Sequence, residues 1–131
     1  MAPDYQQLAY RNIWLGLGYL LLFITLTISL LPVAQQVQPL MIGDKLLHAL
    51  CFMLLMLWFS GIVQPSRYLQ LGLRLLAFGA AIELLQYATG YRSMEFADLA
   101  ADAVGVITGG VLAKLGLRHW CATLERQING S

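Results

Sequence analysis

Residues 13–31 read IWLGLGYLLLFITLTISLL, without one charged side chain, and stop at Pro32. A helix that crosses a bilayer needs about 20 mostly apolar residues, and proline ends a helix because it lacks the N–H of the next hydrogen bond. This run is therefore the pattern of a transmembrane helix. A cleaved signal peptide has a shorter apolar core and a more basic start than Arg11 alone provides, so an uncleaved anchor is expected.

The same pattern recurs along the chain. A second apolar run covers about 46–63 and is closed by Gln64-Pro65-Ser66-Arg67; a third covers about 69–89 and is closed by Gly90; a fourth covers about 96–117. Residues 33–43, with three glutamines and Pro39, read as a loop, and residues 118–131 as a polar tail with a short interfacial helix carrying Trp120. The expectation is an all-α membrane domain spanning residues 1–131, a bundle of four transmembrane helices. Composition agrees: 59% of the 131 residues are hydrophobic, 11% are charged, and mean hydropathy is +0.67. Soluble domains carry about a quarter charged residues, and a soluble bundle of this size could not hide so much apolar surface.

Other classes are excluded by what is missing. Net charge is +1 and no basic run is interleaved with aromatics, which speaks against nucleic acid as a partner. Cys51 and Cys121 form no CxxC pair and read as free thiols. Basic residues set the orientation. Arg11, Arg67, Arg74, Lys114, Arg118 and Arg126 fall on one side of the four spans, and Lys45 and Arg92 on the other. Both termini are thus expected in the cytoplasm of a multi-pass protein of a bacterial inner membrane.

The opposite side collects the unusual residues: Asp44, Lys45, His48, Glu83, Gln86, Arg92, Glu95, Asp98 and Asp102, including five of the seven acidic side chains. Charge inside a bilayer costs about 2.5–3.5 kcal/mol per residue at mid-depth, so such groups are usually paired and functional. Asp44 and His48 are four apart; Glu83 stands three before Gln86 and four before the Tyr87 hydroxyl; Glu95, Asp98 and Asp102 follow a three-then-four step on one helical stripe. That stripe runs beside the ladder Ala101, Gly105, Gly109 and Ala113, whose small residues mark the face where membrane helices approach closely. The acids should therefore point into the bundle, with the fourth helix as its central member. Simpler roles stand beside these: Asp44 as a helix N-cap, His48 as an interfacial side chain, Arg92 as a structural counter-ion. Met53, Met56, Trp58 and Phe59 read as lipid-facing or core filler with no cofactor implied.

Three of these segments resemble the elements of the VanZ-like family. Asp44-Lys45-Leu46-Leu47-His48 resembles its DKxxH element, Glu83-Leu84-Leu85-Gln86 followed by Arg92 its ExxQ…R element, and Asp98 to Gly105 its DxxxNxxG element, with Asp102 in place of the usual Asn. The resemblance covers about residues 43–112, in order. It implies a small bacterial envelope protein; the founding member is associated with low-level teicoplanin resistance.

Three functions fit these residues. One is an outward-facing site that binds or modifies a lipid-linked or cell-wall headgroup, with Glu83 or Asp98 as general base, His48 as acid or orienting group, and Asp44, Lys45, Gln86, Arg92 and Asp102 as binding groups. Another is a divalent-cation site built from Glu83, Asp98, Asp102 and His48. The last is a structural or partner subunit whose polar network fixes helix register without catalysis. Cofactor identity stays open, as does association with further copies of the chain.

Overall fold

A computed structural model describes residues 6–31, 41–90 and 95–130; within the second stretch, the side chains at 41, 42 and 44 are not described. The described residues are all-α: α1 (Arg11–Leu30), α2 (Met41–Ser60), α3 (Tyr68–Ala88), α4 (Phe96–Lys114) and α5 (Trp120–Asn129), with short 3-10 turns at Pro65–Arg67 and Leu117–His119. Three segments are long and apolar enough to cross a membrane: Arg11–Leu30, Pro65–Ala88 and Phe96–Lys114. The expected fourth, α2, has its apolar part in the shorter stretch Lys45–Ser60.

The boundaries have local causes. Gly116 takes φ +133, a conformation that side chains rarely adopt, and α4 ends at Lys114 rather than at the expected Leu117. Gly90, at φ +75, follows the last turn of α3 in the usual place for such a glycine. Helix α2 starts at Met41, ahead of Asp44. The N-cap role expected for Asp44 is thereby ruled out; its backbone sits in the first turn.

Helix α2 makes its most extensive contact with α4 and also packs against α1 and α3. The centre is therefore α2 as much as α4. The small-residue ladder makes this pairing. A Cβ on Gly105 would run into the Ala49 carbonyl oxygen, and one on Gly109 would come within 2.8 Å of the Met53 carbonyl oxygen. Backbones this close leave no room for a side chain, the packing that small-residue ladders allow. Phe52, Leu55, Met56, Leu75 and Val106 fill the core beside this seam. By contrast, α1 buries only Gly18, and Ile13, Tyr19 and Phe23 are exposed. Its outer face is apolar and left open by the other helices.

At the end where α2 stops, side chains satisfy carbonyls that no further helical turn can reach. The Tyr68 hydroxyl donates to Ser60 O at 2.8 Å, the Trp120 indole to Leu57 O at 2.9 Å, and Gln6 Nε2 to Ser60 O at 3.1 Å. Trp14, Trp58 and Trp120 form one cluster with ring centroids 4.7 to 6.2 Å apart. Tryptophans gather in this way where apolar and wet surroundings meet.

Glu125 on α5 locks the amino-terminal segment onto this end. It accepts from Ala9 N at 2.7 Å, Tyr10 N at 2.8 Å and the Trp14 indole at 2.8 Å. Burial alone would raise its pKa, but the three donors outweigh that and hold the carboxyl below its usual value. A carboxyl lowered on folding contributes stability that is fully present above its unfolded pKa and is lost as pH falls through its folded one. Wild-type protein is therefore expected to lose melting temperature on acidification from about pH 7 to about pH 3. Glu125→Gln should start lower at pH 7 and fall less, as followed by tryptophan fluorescence. Equal slopes for the two proteins would contradict the assignment. Nearby Cys121 is a free, buried thiol whose pKa burial, helped by the Glu125 charge, pushes up to about 12.

Candidate functional site

At the opposite end of the bundle, α2 and α4 begin while α1 and α3 finish. The polar residues of the three separate segments meet there. Lys45 Nζ donates to Asp98 Oδ1 at 2.6 Å and to Glu95 Oε2 at 2.7 Å. His48 Nδ1 lies 2.8 Å from Asp102 Oδ1, and His48 Nε2 lies 3.9 Å from Asp98 Oδ2. Glu83 comes in from α3, with its Oε2 at 3.5 Å from the Glu95 N–H, a long contact.

Asp98 and Asp102 are 0% and 1% exposed and Glu83 is 2% exposed, whereas the side chains of Lys45 and Glu95 are 26% and 37% exposed. The cluster thus has a buried floor and a charged rim. Asp98 lies in the first turn of α4, where the amide dipoles favour negative charge. Gly79 of α3 leaves room for Asp102: a Cβ there would sit 2.5 Å from its Oδ2.

The His48–Asp102 contact has a chemical consequence. Asp102 holds one ring nitrogen, Nδ1, and the other, Nε2, is left on the side of Asp98 Oδ2. A histidine oriented by a carboxylate behind it can move a proton at its other nitrogen, or bind a cation there. His48, Glu83 and Asp98 each offer an atom within 4.8 Å of the others.

Comparison with protein-family models, curated proteins and solved structures found no match.

Of the residues singled out in the sequence, Lys45, His48, Glu83, Asp98 and Asp102 are brought together. Arg92 and the side chain of Asp44 lie outside the described residues. Gln86 is buried in the same layer but turned towards α1: its Nε2 donates to Ser29 O at 2.8 Å, one of the last carbonyls of that helix. Among the described residues its Oε1 has no hydrogen-bond partner. Tyr87, whose hydroxyl was expected beside Glu83, is 63% exposed. The buried stripe of α3 is Tyr68, Gly72, Leu75, Gly79, Ile82 and Gln86, with Glu83 at its edge, and Tyr87 falls one step beyond that edge. Glu95 precedes α4 with extended backbone rather than riding on its first turn, and reaches Lys45 from there.

Sequence reasoning missed two contributors. Gly79 provides the space for Asp102, and the Ser29 carbonyl ties α1 to the site layer. An unpaired helix end just before Pro32 was the only sequence signal for the second.

Proposed function

We propose that this chain is a multi-pass protein of a bacterial inner membrane in which α1 to α4 all cross the bilayer. Both termini then lie in the cytoplasm and the Lys45–His48–Glu83–Asp98 cluster opens outward. Helix α2 has 20 residues, about 30 Å of helix, enough to span. The basic residues Arg11, Arg67, Lys114, Arg118 and Arg126 lie at the tryptophan end, away from the acidic cluster. Attachment of a thiol reagent to a single cysteine placed at Gln64 only after permeabilisation is the expected result; labelling of intact cells would overturn this orientation.

The cluster is read as a binding site for the polar headgroup of a lipid-linked or cell-wall molecule, with His48 as proton donor or acceptor. One observation carries it: side chains from three helices converge on a buried floor behind a half-open Lys45–Glu95 rim. A register-fixing network alone is a weaker reading, because hydrogen bonds between membrane helices average only ~0.6 kcal/mol. The VanZ-like reading rests on the order and spacing of these same residues in the sequence. A link to teicoplanin susceptibility would follow from that resemblance. The test is thermal stabilisation of purified protein by soluble headgroups such as phosphoethanolamine and glycerol phosphate. Wild type should be stabilised by at least one, in proportion to the logarithm of its concentration, and Glu83→Gln and His48→Ala should not. Equal responses in all three proteins would sink the reading.

A divalent-cation site is the second reading, favoured by the spacing of His48, Glu83 and Asp98. Asp102, expected as a further ligand, sits instead on the far ring nitrogen of His48, the position of a group that orients a metal-bound imidazole. Metal bound to wild type and lost from His48→Ala would select it; metal-free protein that binds headgroups unchanged in the presence of chelator would remove it.

A further inference from the structure

Helix α5 has 10 residues, about 15 Å of helix, and lies across the tryptophan end of the bundle. Its first residue, Trp120, donates to Leu57 O in the last turn of α2. Its last, Asn129, accepts from the Tyr10 hydroxyl, one residue before α1 begins. Both ends of α5 are thus tied at the level where a bundle helix starts or stops. Cys121 and Glu125 form its buried face. Leu124 and Ile128, four apart on a stripe bordering that face, are exposed, as are Leu115 and Leu117 in the turn that leads into α5. A stripe beside the buried face looks partly the same way, towards the flank of the bundle, whereas Arg126 looks away from it.

The charge of this end names the partner. Lys114 in the last turn of α4, Arg118 in the turn before α5 and Arg126 on α5 bring three cations to it. Arg118 donates to His119 Nε2 at 3.2 Å and Arg126 to Thr123 Oγ1 at 3.3 Å, and neither acceptor is a carboxylate. Glu125 is the one carboxylate among the described residues here, and three N–H donors already hold it. Basic side chains around an apolar stripe, beside clustered tryptophans, are what a helix in an anionic headgroup layer presents. An acidic protein would meet the cations but would leave Leu124 and Ile128 unused.

We infer that α5 is a bilayer-surface helix that gathers anionic phospholipids: Lys114, Arg118 and Arg126 meet their phosphates while Leu124 and Ile128 sit among the upper acyl chains. This surface is at the far end of the bundle from the Lys45–His48–Glu83–Asp98 cluster and does not depend on it. Placing the lipids in the cytoplasmic leaflet rests on the orientation proposed above; the preference for anionic lipid does not.

The tryptophans make this end observable, because all three in the sequence cluster there. The test is quenching of their fluorescence in the full chain reconstituted into dioleoyl phosphatidylcholine vesicles, with brominated phosphatidylglycerol or brominated phosphatidylcholine added in increasing share. Phosphatidylglycerol is expected to reach half-maximal quenching at about fivefold lower share, the ratio that one basic residue supplies at a bilayer surface. In Lys114→Gln/Arg118→Gln/Arg126→Gln the two lipids should quench equally. Arg126→Gln alone, at an exposed position, should lose part of the preference and covers the case in which the triple variant does not fold. Ile128→Trp should add emission that brominated lipid quenches and aqueous acrylamide does not. Equal quenching of wild type by the two lipids, or a preference unchanged in the neutralised variants, would overturn the anionic-lipid assignment. Acrylamide quenching of the added emission would overturn the placement of the apolar stripe. Labelling of a cysteine at Gln64 on intact cells, with the lipid preference intact, would overturn the orientation and leave this assignment standing. No quenching by either lipid would overturn the spanning reading together with this inference.

Discussion

Gly105→Val is expected to abolish the folded monomer or to lower its melting temperature more than any other single change discussed here. The valine Cβ would occupy the space of the Ala49 carbonyl oxygen, with the Ala49 carbon and Met53 nitrogen each 3.0 Å away. All three are backbone atoms in the middle of α2, so no side-chain rotation relieves the clash, and the helices must separate. Separation undoes the most extensive pairing in the molecule. Overpacking in soluble cores costs about 1–3 kcal/mol and occasionally more; a clash against rigid backbone belongs at or above the top of that range. It would also pull His48 on α2 away from Asp102 on α4, so the headgroup binding proposed above should disappear with the fold. Gly16→Val is the control, because nothing lies within 4 Å of a Cβ there. Thermal melts of the two variants in one detergent check this; similar losses would show that the seam has no special role.

The second large effect concerns Lys45. Asp98 has no exposed surface, and the Lys45 ammonium at 2.6 Å holds its Oδ1. Lys45→Met keeps much of the aliphatic stem but leaves that buried carboxylate without this cation. Removing one partner of a buried ion pair costs about 3–5 kcal/mol, and the lower end applies because Lys45 itself is partly open to solvent. The decisive comparison is the double variant. Asp98→Asn removes the charge that Lys45 neutralises, so Lys45→Met/Asp98→Asn should be more stable than Lys45→Met alone by about 1 kcal/mol or more. Additive losses would mean that the two side chains do not act as a pair.

The sequence made the site legible through spacing and the end of the bundle at which its residues fall. Asp98 and Asp102 lie on one helical stripe with Gly105 and Gly109, and that stripe faces α2 as the small-residue ladder implied. His48 and Lys45 then had to meet it, because their helix begins at the same end. Periodicity could not reveal contacts made by side chains to backbone ends. Gln86 reads as a member of the acidic cluster but is held by a carbonyl left open at the end of α1. Glu125 reads as a solvated residue of a polar tail, yet it gathers three donors from a segment more than a hundred residues earlier in the chain. Tyr87 shows the limit of the four-residue rule: Glu83 sits at the edge of its buried stripe, so a further step of four leaves the core. The length of α4 was overestimated because hydropathy continues through Leu115 and Leu117, whereas Gly116 turns the backbone.

The central claim is that the cluster of Lys45, His48, Glu83, Asp98 and Asp102 is a ligand site. Its most direct test is mass spectrometry of the lipids and metals that co-purify with wild type and with Glu83→Gln. The expected result is a headgroup lipid or a metal enriched on wild type and absent from a Glu83→Gln protein that elutes and melts as a folded bundle. Identical lipid and metal content in the two proteins, with Glu83→Gln merely less stable, would contradict the claim and leave the cluster a structural network.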